Sequence, residues 1–149
     1  MNRYKQYMSL AALALVVACG GEKAQSGAVA SHEPAAPVTG VEWRVESLTA
    51  DGTTRHAPAS ARLRIDDGKA AGNLGCNQFS ASATVHGDKI TLGDLRTTRM
   101  ACDPARMAFE RAFARTLTTG TLTAVADHGK LTITTGNGDR VDLTRHGAA

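Results

Sequence analysis

The sequence predicts an α+β fold that is mainly β: an antiparallel meander or open barrel-like sheet packed with one amphipathic helix. Three observations predict it. Four short turn clusters rich in Gly, Asn and Asp separate runs of Thr, Val, Leu and Ile. Several of those runs alternate apolar with polar residues, the period of a half-buried strand. A single segment after Asp103-Pro104 carries helical spacing instead.

Ahead of this domain lies a different kind of sequence. Arg3 and Lys5 make a short positive region, and Met8 to Val17 is almost unbroken apolar chain. That run is about half the roughly twenty residues needed to span a bilayer, and it suits the core of a signal peptide. Val16-Val17-Ala18-Cys19-Gly20 follows. An aliphatic residue, a small residue and then cysteine resemble a lipobox, which predicts a signal peptide over 1–18 and acylation of Cys19. Palmitate-type chains would hold the protein in a membrane, each buried CH₂ contributing about 0.8 kcal/mol. The alternative is a secreted chain cut after Ala18 that keeps Cys19 as a free thiol. Gly20, rather than an acidic residue, beside the acylated cysteine predicts an outer-membrane lipoprotein facing the periplasm, with inner-membrane retention and surface exposure as the alternatives.

Removing the leader changes the charge. Without Arg3 and Lys5, fifteen basic residues face fourteen acidic ones, a net charge of +1. No clustered basic face remains to bind nucleic acid. Residues 19–39 are rich in Gly, Ala, Ser and Pro and lack hydrophobic periodicity, so they read as the lipidated cysteine and a flexible tether. The folded domain is expected over residues 40–146.

Val41 to Leu48 opens that domain as a strand around Trp43, the only tryptophan. Ala61-Arg62-Leu63-Arg64-Ile65 alternates cleanly and runs into a turn at Asp66-Asp67-Gly68-Lys69. His86-Gly87-Asp88-Lys89 and Asp127-His128-Gly129-Lys130 repeat that chemistry, and Gly136-Asn137-Gly138-Asp139 is a fourth turn. Leu131-Thr132-Ile133-Thr134 and Val141-Asp142-Leu143-Thr144 should point their aliphatic residues at one core. Asp103 and Pro104 supply an N-cap acceptor and a proline at the first helical position. From there to Leu117, the residues Ala105, Phe109, Ala112, Phe113, Thr116 and Leu117 share one face, and Gly120 ends the element. The tail at His146 reads as disordered.

Outside the lipobox, Cys76 and Cys102 remain. A pair of cysteines in an oxidising compartment points to a disulfide. Free or redox-active thiols and a metal site are the alternatives. The spacing is far wider than Cys-x-x-Cys, and His56, His86 and His128 show no ligand spacing around the cysteines. Glu110 stands beside Arg106 and Arg111 and reads as half of a solvated ion pair. Asp66 and Asp67 belong to a turn that favours Asp in any case. G-x-S-x-G, H-E-x-x-H and P-loop patterns do not occur.

Several segments together carry a family resemblance. They are Gly75-Cys76-Asn77-Gln78-Phe79-Ser80, then Thr98-Arg99-Met100-Ala101-Cys102, then Met107, Glu110, Phe113 and Leu117, then Gly129-Lys130-Leu131-Thr132-Ile133. With Trp43 in the first strand, this pattern resembles the META domain, the HslJ-like family, across the whole folded region. Ala81 departs from it, standing where a glycine is expected. The resemblance implies a compact β-rich, barrel-like sheet with a packed helix, and an association with heat stress, antibiotic tolerance or virulence. It supplies no catalytic residues and no cofactor. Gly75, Asn77, Phe79, Thr98 and Met100 are expected to form a corner with a structural or binding role. The function expected is a non-catalytic envelope lipoprotein that acts by binding an envelope protein, in stress tolerance or envelope maintenance. A carrier of a hydrophobic small molecule, using room left by Ala105, Ala108, Ala112, Ala124 and Ala126, is the alternative. A thiol-dependent enzyme is the third reading.

Overall fold

The computed structural model describes residues 37–147. The leader, Cys19 and most of the tether therefore lie outside the described residues.

Nine strands and one helix make up the described chain. In order they are β1 (Glu42–Ala50), β2 (Thr53–His56), β3 (Arg62–Asp66), β4 (Lys69–Asn73), β5 (Gln78–His86), β6 (Lys89–Thr97), the helix α1 (Pro104–Leu117), β7 (Thr121–Asp127), β8 (Lys130–Thr134) and β9 (Arg140–Arg145). Every pairing is antiparallel, and β1 pairs with β9 as well as with β3. The sheet thus closes on itself into an eight-stranded barrel, where the sequence left an open barrel and a meander both in play. Strand β2 is an extra hairpin arm on the same edge of β1 that β3 uses further back. The sequence reading missed β2, although Asp51-Gly52 is a strong hairpin turn and both residues take positive φ.

Alternation decides what lies inside. Trp43, Val45 and Leu48 of β1, Leu63 and Ile65 of β3, and Leu131, Ile133, Val141 and Leu143 of β8 and β9 all point inward and are buried. An eight-stranded barrel has an interior that side chains just fill. Burying a Leu or Ile in such a core stabilises the fold by roughly 1.5–3 kcal/mol. Gly72 marks where two strands pass too closely for any side chain: a Cβ there would sit 2.0 Å from the Arg62 carbonyl oxygen.

Both ends of the barrel are stopped. The helix, capped by the Asp103 side chain on the Arg106 amide, closes one end with Phe109, Phe113 and Leu117. Its buried face contains Glu110, while Ala105 is exposed, the reverse of the sequence expectation for both residues. At the other end residues 37–39 come across the mouth. The indole of Trp43 donates to the Val38 carbonyl at 2.9 Å, and the Gly40 amide donates to Ile65 at 2.8 Å. The last residues assigned to the tether thus pack on the core. His146 also differs from expectation, its amide bonding the Glu42 carbonyl at 2.9 Å. Ala81, the departure from the family pattern, sits inside β5 opposite Ala70. The irregularity there is carried by β6, where Asp94 takes a positive φ of 52°.

Candidate functional site

The expected corner lies at the helix-capped end, where β4 turns into β5. The turn is tight: the Leu74 amide bonds the Asn77 carbonyl at 2.8 Å, and the Asn73 side chain accepts from the Gly75 amide at 2.8 Å. Gly75 has φ +123°, and a Cβ there would press on Pro58 at 3.2 Å and on Phe109 at 3.3 Å. Only glycine meets both constraints. Cys76 and Cys102 are joined by a disulfide with their Cα atoms 6.0 Å apart. The bridge ties the turn to the residue just before the helix cap. Phe79, the next inward residue, is buried in the core.

Asn77 is the hub. Its Nδ2 donates to the Met100 carbonyl at 3.1 Å and to Glu110 Oε1 at 2.8 Å. Its Oδ1 accepts from the Met100 amide at 2.6 Å and from the Thr98 hydroxyl at 3.0 Å. The side-chain amide is thus fully used, two donors and two acceptor positions. Thr98 in turn accepts from the Gln78 amide at 3.1 Å. The carboxamide lies along the peptide backbone of Met100 as a neighbouring strand would, bonding its N–H and its C=O together.

Glu110 supports this hub from the helix. Its Oε2 accepts from the Asn77 amide at 2.6 Å and its Oε1 from the Asn77 side chain. The residue is 8% exposed and engages neither Arg106 nor Arg111. The expected solvated ion pair is therefore replaced by a buried clamp. The clamp needs an acid because both of its contacts are donors. The sequence carried a signal for this in the Glu110 spacing on the Phe109–Phe113 face, which the charge pattern obscured.

The corner brings together Gly75, Cys76, Asn77, Phe79, Thr98, Met100 and Cys102. Cys19 lies outside the described residues. Both oxygens of Glu110 are engaged and both sulfurs are bonded to each other. The arrangement holds backbone in place and offers no free nucleophile or base of its own. What it presents outward is Met100, 63% exposed, between exposed Arg99 and Ala101. A shallow hollow of about 310 Å³ opens beside it, lined by Gln78, Ser80, Arg96, Thr97 and Thr98 among others. Among the described residues, no group of three or more His, Cys, Asp or Glu is placed to hold a metal ion. Away from the corner, hydrogen bonding to Asp142 raises the pKa of Arg140 above its ordinary value.

Comparison with known proteins agrees with this geometry. The META domain model matches residues 36–148. An NMR structure of a protein from Burkholderia xenovorans is 25% identical, with a TM-score of 0.63 over 77% of this chain and 94% of that one. A second NMR structure is 18% identical, with a TM-score of 0.56 over 72% of this chain and 90% of the other, and it shows the fold alone. No curated protein matches the chain. The match spans most of the chain and all of the barrel, and the chain belongs to the META domain family.

Proposed function

We propose that the protein is a non-catalytic, membrane-anchored envelope lipoprotein that acts by binding another envelope protein, in stress tolerance or envelope maintenance. Its anchor is acylated Cys19, its station the periplasmic face of the outer membrane, and its binding epitope the Asn77–Met100 corner. One observation carries the epitope: Met100 is 63% exposed, yet its peptide is gripped on both sides by the Asn77 carboxamide. A large exposed apolar side chain on a fixed backbone favours binding, because little backbone freedom is lost on association. Methionine also adapts well to a partner's surface. Arg99 adds a cation beside it, a residue type enriched at interface centres.

The test uses Met100→Asp and Arg99→Glu, both at exposed positions, in cells lacking the native protein. Loss of stress survival with normal accumulation of the variant supports the epitope. Full complementation by both variants, alongside an equally active Thr84→Asp control, refutes it. The anchor is tested separately, by the intact mass of the chain extracted from membranes.

A further inference from the structure

The end of the barrel opposite the corner has a composition of its own. The up-and-down topology brings three hairpin turns there, Asp67-Gly68, Gly87-Asp88 and His128-Gly129. Each turn is followed at once by a lysine: Lys69, Lys89 and Lys130. These are all the lysines of the folded domain. Two of the three large hydrophobic residues that the described surface exposes, Val85 at 36% and Val125 at 55%, are there too. They line a groove of about 430 Å³ shared with Pro37, Val38 and Ala126. The chain reaches the domain through that same groove.

The geometry points to a docking surface for lipid: the end of the barrel that bears Val38, Val85 and Val125, and whose turns carry Lys69, Lys89 and Lys130, rests on the membrane that anchors the protein. This inference rests on the reading of Cys19 as acylated. Two features select a lipid surface as the occupant. The first is where the tether ends. Seventeen residues separate Cys19 from Pro37. Seventeen residues reach at most about 60 Å when fully extended. The groove is therefore held within about 60 Å of the bilayer, and residues 37–39 enter the domain at the barrel end that carries it. The second is the arrangement of side chains. Exposed valines on a barrel end whose turns carry three lysines match the headgroup boundary, where apolar groups sink and lysine stems lie on apolar surface with their ammonium groups in water.

Tethering lets a weak patch work. An anchor on a short linker raises the local concentration of its binding surface to the millimolar range. Two or three valines then suffice to orient the domain, although they would not bring it to a membrane unaided. The same turns carry Asp66, Asp67, Asp88 and Asp127, with Asp88 3.6 Å from Lys89. Docking therefore does not require anionic lipid. In this orientation the Met100 corner, at the far end of the barrel, faces away from the membrane.

Trp43 reports on the contact. It is the only tryptophan, and its indole bonds the Val38 carbonyl at the groove. The acylated protein, extracted from host membranes, is reconstituted into phosphatidylcholine vesicles with and without bromine on the acyl chains near the glycerol. Intact mass is measured on the same sample. The expected result is an acyl-bearing mass with Trp43 emission reduced in brominated vesicles, and this quenching lost in the Val85→Asp/Val125→Asp variant. An acyl-bearing, vesicle-bound protein whose Trp43 emission is equal in both vesicles overturns the docking and leaves the anchor intact. A mass without acyl chains overturns the anchor, and the docking with it, because the local concentration then vanishes.

Discussion

Replacing Glu110 by Gln changes almost no volume and reverses one hydrogen-bonding direction. Both carboxylate oxygens of Glu110 accept, one from the Asn77 amide at 2.6 Å and one from the Asn77 side chain at 2.8 Å. Glutamine offers one oxygen and one NH₂, so whichever way it turns, a donor meets a donor. A buried donor left without a partner costs about 1–3 kcal/mol. The remaining bond loses the strength that a charged acceptor gives, about 1 kcal/mol more. Removing the charge relieves its burial cost and offsets part of this. The net expectation is a loss of about 2 kcal/mol. With a urea m-value of about 2 kcal/mol/M for a domain of this size, the midpoint should fall by about 1 M with m unchanged. The unfolding is measured with the disulfide intact, so that only the clamp differs. A midpoint within 0.3 M of the native value, on the same m-value, would show that Glu110 does not hold Asn77 as described.

Three further outcomes follow from other parts of the structure. Breaking the Cys76–Cys102 bridge by Cys102→Ser opens a 26-residue loop and should lower stability by about 3.5 kcal/mol in the chain-entropy model, read by denaturant unfolding. The Thr116 hydroxyl is buried with no hydrogen-bond partner, so Thr116→Val should raise stability by about 1 kcal/mol, read as a higher melting temperature; a lower one would reveal a bond that the hydroxyl does make. Gly72→Ala forces a Cβ against the Arg62 carbonyl at 2.0 Å; the cost should exceed about 3 kcal/mol and appear as lost amide-exchange protection along β3 and β4.

Local chemistry made much of the fold legible. Asp103-Pro104 marked the helix start, and the helix runs from Pro104 to Leu117 as the spacing implied. The turns at Asp67-Gly68 and His128-Gly129 take the positive φ values that their residue types suggested. What local chemistry did not carry was pairing at long range. Closure of the barrel depends on β1 meeting β9, about a hundred residues apart in sequence, with register pairs such as Trp43 with Arg145. Alternation says which face is inward and is silent about which strand lies alongside. Strand β2 was missed because Thr53–His56 is exposed throughout and shows no apolar alternation.

The candidate site was legible as a set of residue types and not as a mechanism of support. Asn77, Thr98 and Met100 were visible as a motif, and the structure bonds both Thr98 and Met100 to Asn77. Glu110 was misread because its neighbours Arg106 and Arg111 suggested an ion pair on the helix surface. Helical spacing alone places Glu110 at the border of the apolar face, where a partner from another element decides whether it is buried. That partner, the Asn77 amide, lies 33 residues away.

The most direct test of the binding role is photo-cross-linking in host cells from residue 100, compared with residue 84, under heat and antibiotic stress. The expected result is a discrete adduct with one envelope protein from position 100 alone, competed by excess native domain and not by the Arg99→Glu form. The same set of adducts from both positions, or none from position 100 under any stress, would contradict it.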